Sequence, residues 1–232
     1  YDDSKDVLKS ISLNVVPGES AAIVGATGAG KTTIISLLLR FYDSYRGNIY
    51  VDGKNLKDYT LVEAREKITV VLQDSRLISG TIDENILYGS DKDKDEVTEV
   101  LDKMGISELI DALPEGRDTI THDDDDTVSE GMRQIIGLAR ALVRSPKVLI
   151  LDEALSAVDS STESHIRESM LTAMEDVTLI IIAHRLDTTK NCDNIIVLKD
   201  GEISEQGSHE KLMTSQGEYF RLYNSQLAGK EI

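Results

Sequence analysis

One segment constrains this chain more than any other. Gly25-Ala26-Thr27-Gly28-Ala29-Gly30-Lys31-Thr32 fits the pattern G-x-x-x-x-G-K-[ST] at every position. The aliphatic run Ala21–Val24 precedes it. A helical pattern over Lys31–Arg40 follows, with Ile34, Ile35, Leu37, Leu38 and Leu39 on a broad apolar face. A strand that feeds a glycine-rich turn into a helix is the context this pattern needs. Glycines let the backbone curl around an anion and aim N–H groups at it. The helix N-terminus adds about half a positive charge. Lys31 is placed to reach terminal phosphates, the Thr32 hydroxyl to ligate a divalent cation, and Thr33 to extend the cradle. The plain alternative is a glycine-rich turn before a helix; the full pattern in its required setting favours a polyphosphate site.

The rest of the chain alternates short aliphatic runs with helical patterns. Ile11–Val16 reads as a strand, separated from the next by the turn Pro17-Gly18-Glu19. Asn48–Val51 reads as a strand closed by Asp52-Gly53, and Ile68–Leu72 as a short buried strand. Residues 81–112 and Met132–Val143 carry helical spacing. Strands Val148–Leu151 and Thr178–Ile182 flank a helix at Thr162–Met174. Ile195–Leu198 and Glu202–Ser204 flank the turn Lys199-Asp200-Gly201, a hairpin signal, and His209–Leu227 is helical. This order predicts an α/β fold: a phosphate-loop core with a parallel sheet between helices, an antiparallel β flank and a helical subdomain. A single domain over 1–232 is expected, with 1–80 and 145–232 as the core and about 81–144 as the helical part.

A second acidic feature stands at the end of Val148-Leu149-Ile150-Leu151-Asp152-Glu153. A buried strand delivers its C-terminal residues to the crevice where α/β proteins bind ligands. Asp152 suits Mg²⁺, which prefers oxygen donors, and Glu153 could polarise an attacking water. Two solvated acids at a strand end would read the same in isolation. The phosphate loop upstream favours the functional reading.

Charge narrows the classes further. Lys and Arg number 25 against 42 Asp and Glu, a formal net charge of −17. Broad non-specific nucleic-acid binding needs a basic face, so nucleic acid is not an expected partner. A polyphosphate held by backbone amides, one lysine and a metal ion remains compatible with that charge. The lone Cys192 suits a reducing compartment and reads as a small packing residue. The longest aliphatic stretch, Leu179–Ala183, is too short to span a bilayer, and no apolar leader opens the chain. The alternating charges Asp91–Glu96 read as a solvated helix start. Tyr219, Phe220 and Tyr223 read as packing among the C-terminal helices.

Ordered motifs along the sequence together resemble the ATP-binding domain of an ABC transporter of the exporter type, over essentially the whole chain. Beside the phosphate loop and Asp152-Glu153, Val71-Leu72-Gln73-Asp74 is similar to the family's Q-loop. Thr81-Ile82-Asp83-Glu84-Asn85-Ile86 resembles the exporter segment after it. Ser156-Ala157-Val158-Asp159 resembles the D-loop, and Ala183-His184-Arg185-Leu186 the switch segment. The resemblance implies ATP and Mg²⁺, with Thr32, Gln73 and Asp152 at the metal and Glu153, His184 and Gln73 as catalytic residues. Gln73 would also sense a transmembrane domain, His184 would contact the γ-phosphate, and Asp159 would communicate across a dimer. Tyr1 stands where the family stacks an aromatic on adenine. Each has a bland reading as well: Gln73 and Asp159 as loop residues bonded to their own backbone, His184 as a satisfied strand-end histidine.

The resemblance breaks at the signature. The family's Leu-Ser-Gly-Gly-Gln is matched by Val128-Ser129-Glu130-Gly131-Met132, which keeps Ser129 and Gly131. The loop before it, His122-Asp123-Asp124-Asp125-Asp126-Thr127, is acidic rather than glycine-rich. In the family this signature caps the γ-phosphate of a second domain paired head to tail. A carboxylate about 5 Å from a phosphate charge costs about 3 kcal/mol at an effective dielectric near 20. The alternative is that Ser129 caps a helix and Glu130 faces solvent. The impaired-signature reading implies a different partner domain with an intact signature, as in a heterodimeric exporter. The transmembrane part would lie outside this sequence, and the domain at the cytoplasmic face of the cell membrane. A non-transport ABC-type ATPase and an ATP-occluding half without turnover are the competing functions.

Overall fold

The computed structural model describes residues 6–43, 45–122, 127–173, 177–183 and 185–229. Tyr1, His184 and the acidic run 123–126 lie outside them. In chain order the strands are β1 (Ser20–Val24), β2 (Tyr50–Val51), β3 (Lys54–Asn55), β4 (Ile68–Leu72), β5 (Gly80–Thr81), β6 (Ile120–Thr121), β7 (Val148–Asp152), β8 (Thr178–Ile182), β9 (Asn194–Lys199) and β10 (Glu202–Gly207). The α-helices are α1 (Lys31–Leu38), α2 (Leu61–Lys67), α3 (Ile82–Leu87), α4 (Lys94–Met104), α5 (Ser107–Asp111), α6 (Glu130–Val143), α7 (Ser160–Ala173), α8 (His209–Ser215) and α9 (Glu218–Leu227). They fall into two compact units, Tyr1–Thr69 with Thr178–Ile232, and Val70–Val177.

In the first unit the strands run in the order β10-β9-β1-β8. β1 pairs in parallel with both neighbours, Ser20 opposite Leu179 and Ala21 opposite Asn194. Every residue of β1 and β8 is buried, which explains why both read as unbroken apolar runs rather than alternating ones. β9 and β10 are antiparallel, joined at Asp200 and Gly201 with φ of 51° and 81°. Two left-handed residues make the turn whose twist matches a hairpin. Asp52 and Gly53, at φ 50° and 73°, repeat the device between β2 and β3. The expected strand Asn48–Val51 shortens to Tyr50–Val51.

Two expectations differ here. Ile11–Val16 forms no strand among the described residues. Its alternation survives in the burial, with Ile11, Leu13 and Val15 half-buried and Ser12, Asn14 and Val16 exposed. A period-two pattern marks an apolar face but supplies no ladder partner. The helix predicted to Arg40 ends at Leu38 because Arg40 turns left-handed at φ 52°. Its N–H reaches Leu37 O at 3.1 Å, and the Phe41 N–H reaches Ser36 O at 2.9 Å. These two bonds close a Schellman cap.

At the other end of this unit Tyr219 is fully buried. Its hydroxyl lies 2.8 Å from His209 Nδ1 and 3.1 Å from Thr189 Oγ1. Tyr223 is also buried, its ring 6.0 Å from that of Tyr219, so both tyrosines pack the C-terminal helices as expected. Cys192 is buried, as a packing residue should be.

The second unit is mostly helical. α3 packs on α6, and α4 on α6 and α7. The charged run Asp91–Glu96 is a helix start: Asp93 accepts from Asp95 N and Glu96 N, and Glu96 answers to complete a capping box. Asp83 is buried yet paired, 2.6 Å from Arg117 Nε and 3.2 Å from Lys94 Nζ. Asn85, with no exposed surface, spends its amide on the Ile78, Thr81 and Thr121 oxygens and its carbonyl on Ile78 N. β7 lies beside β4, whose residues from Val70 on belong to this unit. The α/β class with a parallel sheet, an antiparallel flank and a helix-rich part is thus the one observed. Among the described residues no helix is long and apolar enough to cross a membrane.

Candidate nucleotide-binding site

The buried strand β1 hands the chain to the loop at Gly25, which adopts φ 153°. A Cβ there would run into the Leu198 carbonyl oxygen, so only glycine fits. The loop closes on itself through Ala29 N–H to Ala26 O at 3.1 Å, and Gly201 N–H donates to Ala29 O at 3.2 Å. Ala26, Thr27, Gly28 and Thr32 are exposed, while Ala29, Gly30 and Lys31 are buried. The Lys31 ammonium donates to Gly25 O at 2.6 Å and Ala26 O at 3.2 Å, which fixes it against the loop.

Helix α1 starts differently from the other helices. Its N-cap is Gly30, no side chain caps it, and no acid stands in its first turn. Each of the other eight α-helices among the described residues carries Asp or Glu in its first turn. A helix N-terminus favours negative charge. In a chain with a net charge of −17 the one α-helix start without an acid among the described residues is that of the phosphate loop's helix, at Lys31, Thr32 and Thr33.

The remaining candidates among the described residues lie in the second unit. β7 ends at Asp152, and Glu153 follows in a left-handed conformation at φ 51°, unusual for a side chain of its size. Ser156 N–H bonds Glu153 O at 3.1 Å and closes the turn. Both acids are half-buried. Asp159 occupies the N-cap position of α7. Its Oδ1 accepts from the Ser161 hydroxyl at 2.6 Å, Ser161 N at 3.2 Å and Thr162 N at 3.1 Å. Those bonds, the Ser161 hydroxyl first, hold its carboxyl well below the usual range.

Ser129 caps α6, its Oγ accepting from Met132 N at 3.2 Å. Glu130 is exposed, and its Oε2 accepts from Arg133 Nη2 at 2.9 Å and Nε at 3.1 Å. Gly131 sits against the segment 156–159 of its own chain: a Cβ there would fall 2.8 Å from Ala157 O. Gln73 is exposed at the end of β4, and its carbonyl accepts from Gln134 Nε2 at 3.2 Å.

Gln134 is a residue that motif reading passes over. It is 1% exposed. Its Nε2 also reaches Ser156 Oγ at 3.3 Å, and its Oε1 accepts from Ala157 N at 3.0 Å. The available signal was an amide at the head of the apolar run Ile135-Ile136-Gly137-Leu138, since a buried polar side chain must find partners.

The donor set suits Mg²⁺. Thr32 offers a hydroxyl, Gln73 an amide oxygen and Asp152 a carboxylate, all hard oxygens. Among the described residues no group of three or more His, Cys, Asp or Glu could hold a metal by itself.

Comparison with known proteins gives the family. Residues 8–156 match the family described as ABC transporter. The chain is 44% identical over 227 residues to YfiC of Bacillus subtilis (strain 168), an uncharacterized ABC transporter ATP-binding protein; the match covers 97% of this chain and 38% of that protein. It is 41% identical over 229 residues to an ATP-dependent lipid A-core flippase of Idiomarina loihiensis, covering 98% and 39%. Among solved structures it superposes on a bacterial Atm1-family ABC exporter with ATP bound. There the TM-score is 0.91 and the identity 39%, over 97% of this chain and 40% of that one. The chain belongs to the ABC transporter family. It spans about two fifths of the length of these relatives.

Proposed function

We propose that this chain binds Mg·ATP and hydrolyses it to drive export by a longer transporter. Its membrane-spanning part would lie outside these residues and hold the domain at the cytoplasmic face of the cell membrane. The observation that carries the reading is the start of α1: a glycine-rich loop, a helix N-terminus without side-chain cap or acid, and Lys31 at its mouth. The loop from Gly25 to Thr33 holds the phosphates through its amides, and Lys31 exchanges its loop carbonyls for phosphate oxygens. Thr32, Gln73 and Asp152 would hold Mg²⁺, which would supply positive charge to offset that of the phosphates. Glu153 accepts the proton of the attacking water as its oxygen bonds the γ-phosphorus. The bond to the β-phosphate oxygen breaks, and ADP and phosphate leave. His184 would hold the γ-phosphate, Tyr1 would stack on adenine, and Asp159 would signal to a paired domain.

The signature points to an unequal pair. Glu130 and Met132 replace the glycine and glutamine that would cap a partner's ATP, while Lys31, Asp152 and Glu153 are intact. In this reading a different chain supplies a complete signature, through serine and glycine, to the ATP on this chain, and Ser129 and Gly131 face a weaker site. ATPase measurements on the assembled transporter test it. Glu153→Gln should abolish nearly all turnover and Glu130→Gly should cost little; severe, equal losses would refute the asymmetry.

A further inference from the structure

Three positions on one face of α6 hold the loop that begins at Gln73. Gln134 Nε2 donates to Gln73 O at 3.2 Å, and Arg140 Nη1 donates to Arg76 O at 3.0 Å. Between them Gly137 leaves room for Ser75: a Cβ on it would stand 2.5 Å from Ser75 Oγ and 2.8 Å from Ser75 Cβ. These residues are spaced three apart, so they share a stripe of the helix. The same Gln134 amide accepts from Ala157 N at 3.0 Å, four residues beyond the half-buried Glu153. Arg140 continues inward, with Nε 2.7 Å from Asn85 O and Nη2 2.9 Å from Asn85 Oδ1.

We propose that this stripe is a cradle that fixes the Gln73 loop, and that Gln134 is the positioning residue tying that loop to the turn after Glu153. The proposal rests on the reading of Gln73 as a metal-facing residue. A primary amide suits the task because it donates to one loop and accepts from the other at once. The two loops and the helix that begins at the signature then keep one register. A shift of α6 carries the Gln73 carbonyl and the Ala157 amide with it.

The test is amide hydrogen exchange on the full-length protein without nucleotide or metal, read beside steady-state ATPase. Gln134→Leu removes donor and acceptor. Exchange should quicken about tenfold at Ala157, whose N–H loses its acceptor, and should rise across 73–76 as the loop loses the tether at the Gln73 carbonyl, while the interiors of α3 and α4 stay unchanged. Gln134→Glu keeps the acceptor and loses the donor, so exchange should quicken across 73–76 alone. Unchanged exchange in both loops overturns the proposal. So does a uniform rise through the unit, which marks a residue that only stabilises the fold.

Gly137→Ala supplies an independent arm if Gln134→Leu does not fold. It should lower kcat about tenfold through displacement of the loop, with KM for ATP changed less than twofold. Ser75→Gly in the same chain should restore kcat, and absence of recovery contradicts the cradle. If the exchange pattern holds but the wild-type protein turns over no ATP, the hydrolytic reading fails and the cradle stands.

Discussion

Glu130 Oε2 lies 2.9 Å from Arg133 Nη2, one turn along α6, so the carboxylate that departs from the family signature carries its own counter-charge. Both side chains touch water, and such a pair contributes little to folding, roughly 0.3–0.5 kcal/mol. Its consequence falls on the phosphate that the signature would face. Arg133→Ala should leave the melting temperature nearly unchanged and weaken ATP-dependent pairing with the partner domain. Glu130→Gly should strengthen it. Size-exclusion chromatography with and without ATP, on hydrolysis-deficient Glu153→Gln protein, checks both.

Two glycines of the phosphate loop separate backbone strain from collision. Gly25→Ala meets the Leu198 carbonyl as well as an unfavourable φ, and should abolish ATP binding. Gly28 sits at φ 81° with open space around it. Gly28→Ala should cost about 1–2 kcal/mol of strain, a loss of roughly five- to thirtyfold in affinity. Equilibrium binding of ATP to the two variants distinguishes them.

Asp83 is 4% exposed at its side chain and bonds Arg117 at 2.6 Å and Lys94 at 3.2 Å. Arg117 also donates to Thr98 Oγ1 and Lys94 O, so Asp83 anchors the side chain that links α3, α4 and the turn at 116–118. Asp83→Ala should destabilise the protein by about 1.5–3 kcal/mol, the range of a buried charged hydrogen bond. Urea denaturation reads this directly, with ATP affinity unchanged at constant folded fraction.

The Asp159 carboxyl is held below its ordinary range by Ser161 and Thr162. A depressed folded-state pKa adds stability above the unfolded value, near 4, and that stability is lost as the pH falls through the lower folded value. Asp159→Ala should therefore melt below wild type at pH 7, and the gap should close as the pH drops below about 4. Thermal melts across that window test the sign.

How much of this was legible in the sequence follows from how local each feature is. The loop Gly25–Thr32 and the pair Asp152–Glu153 sit at strand ends that a short apolar run announces. The turns Asp52–Gly53 and Asp200–Gly201 are likewise set by two residues. Ile11–Val16 misled because alternation specifies an inward face and leaves the pairing partner to the rest of the fold. Gln134 stayed hidden because its role lies in partners 61, 22 and 23 residues away, Gln73, Ser156 and Ala157. Asp159 could be read from its neighbours, since Asp-Ser-Ser-Thr before a helix is a capping signal.

Calorimetric titration of Mg·ATP into the purified chain tests the central claim most directly. Wild-type protein should take up one nucleotide, and Lys31→Ala, with its fold verified by circular dichroism, should take up none at the same concentrations. No heat of binding from wild-type protein whose fold is equally sound, or equal affinity in both, would contradict the account.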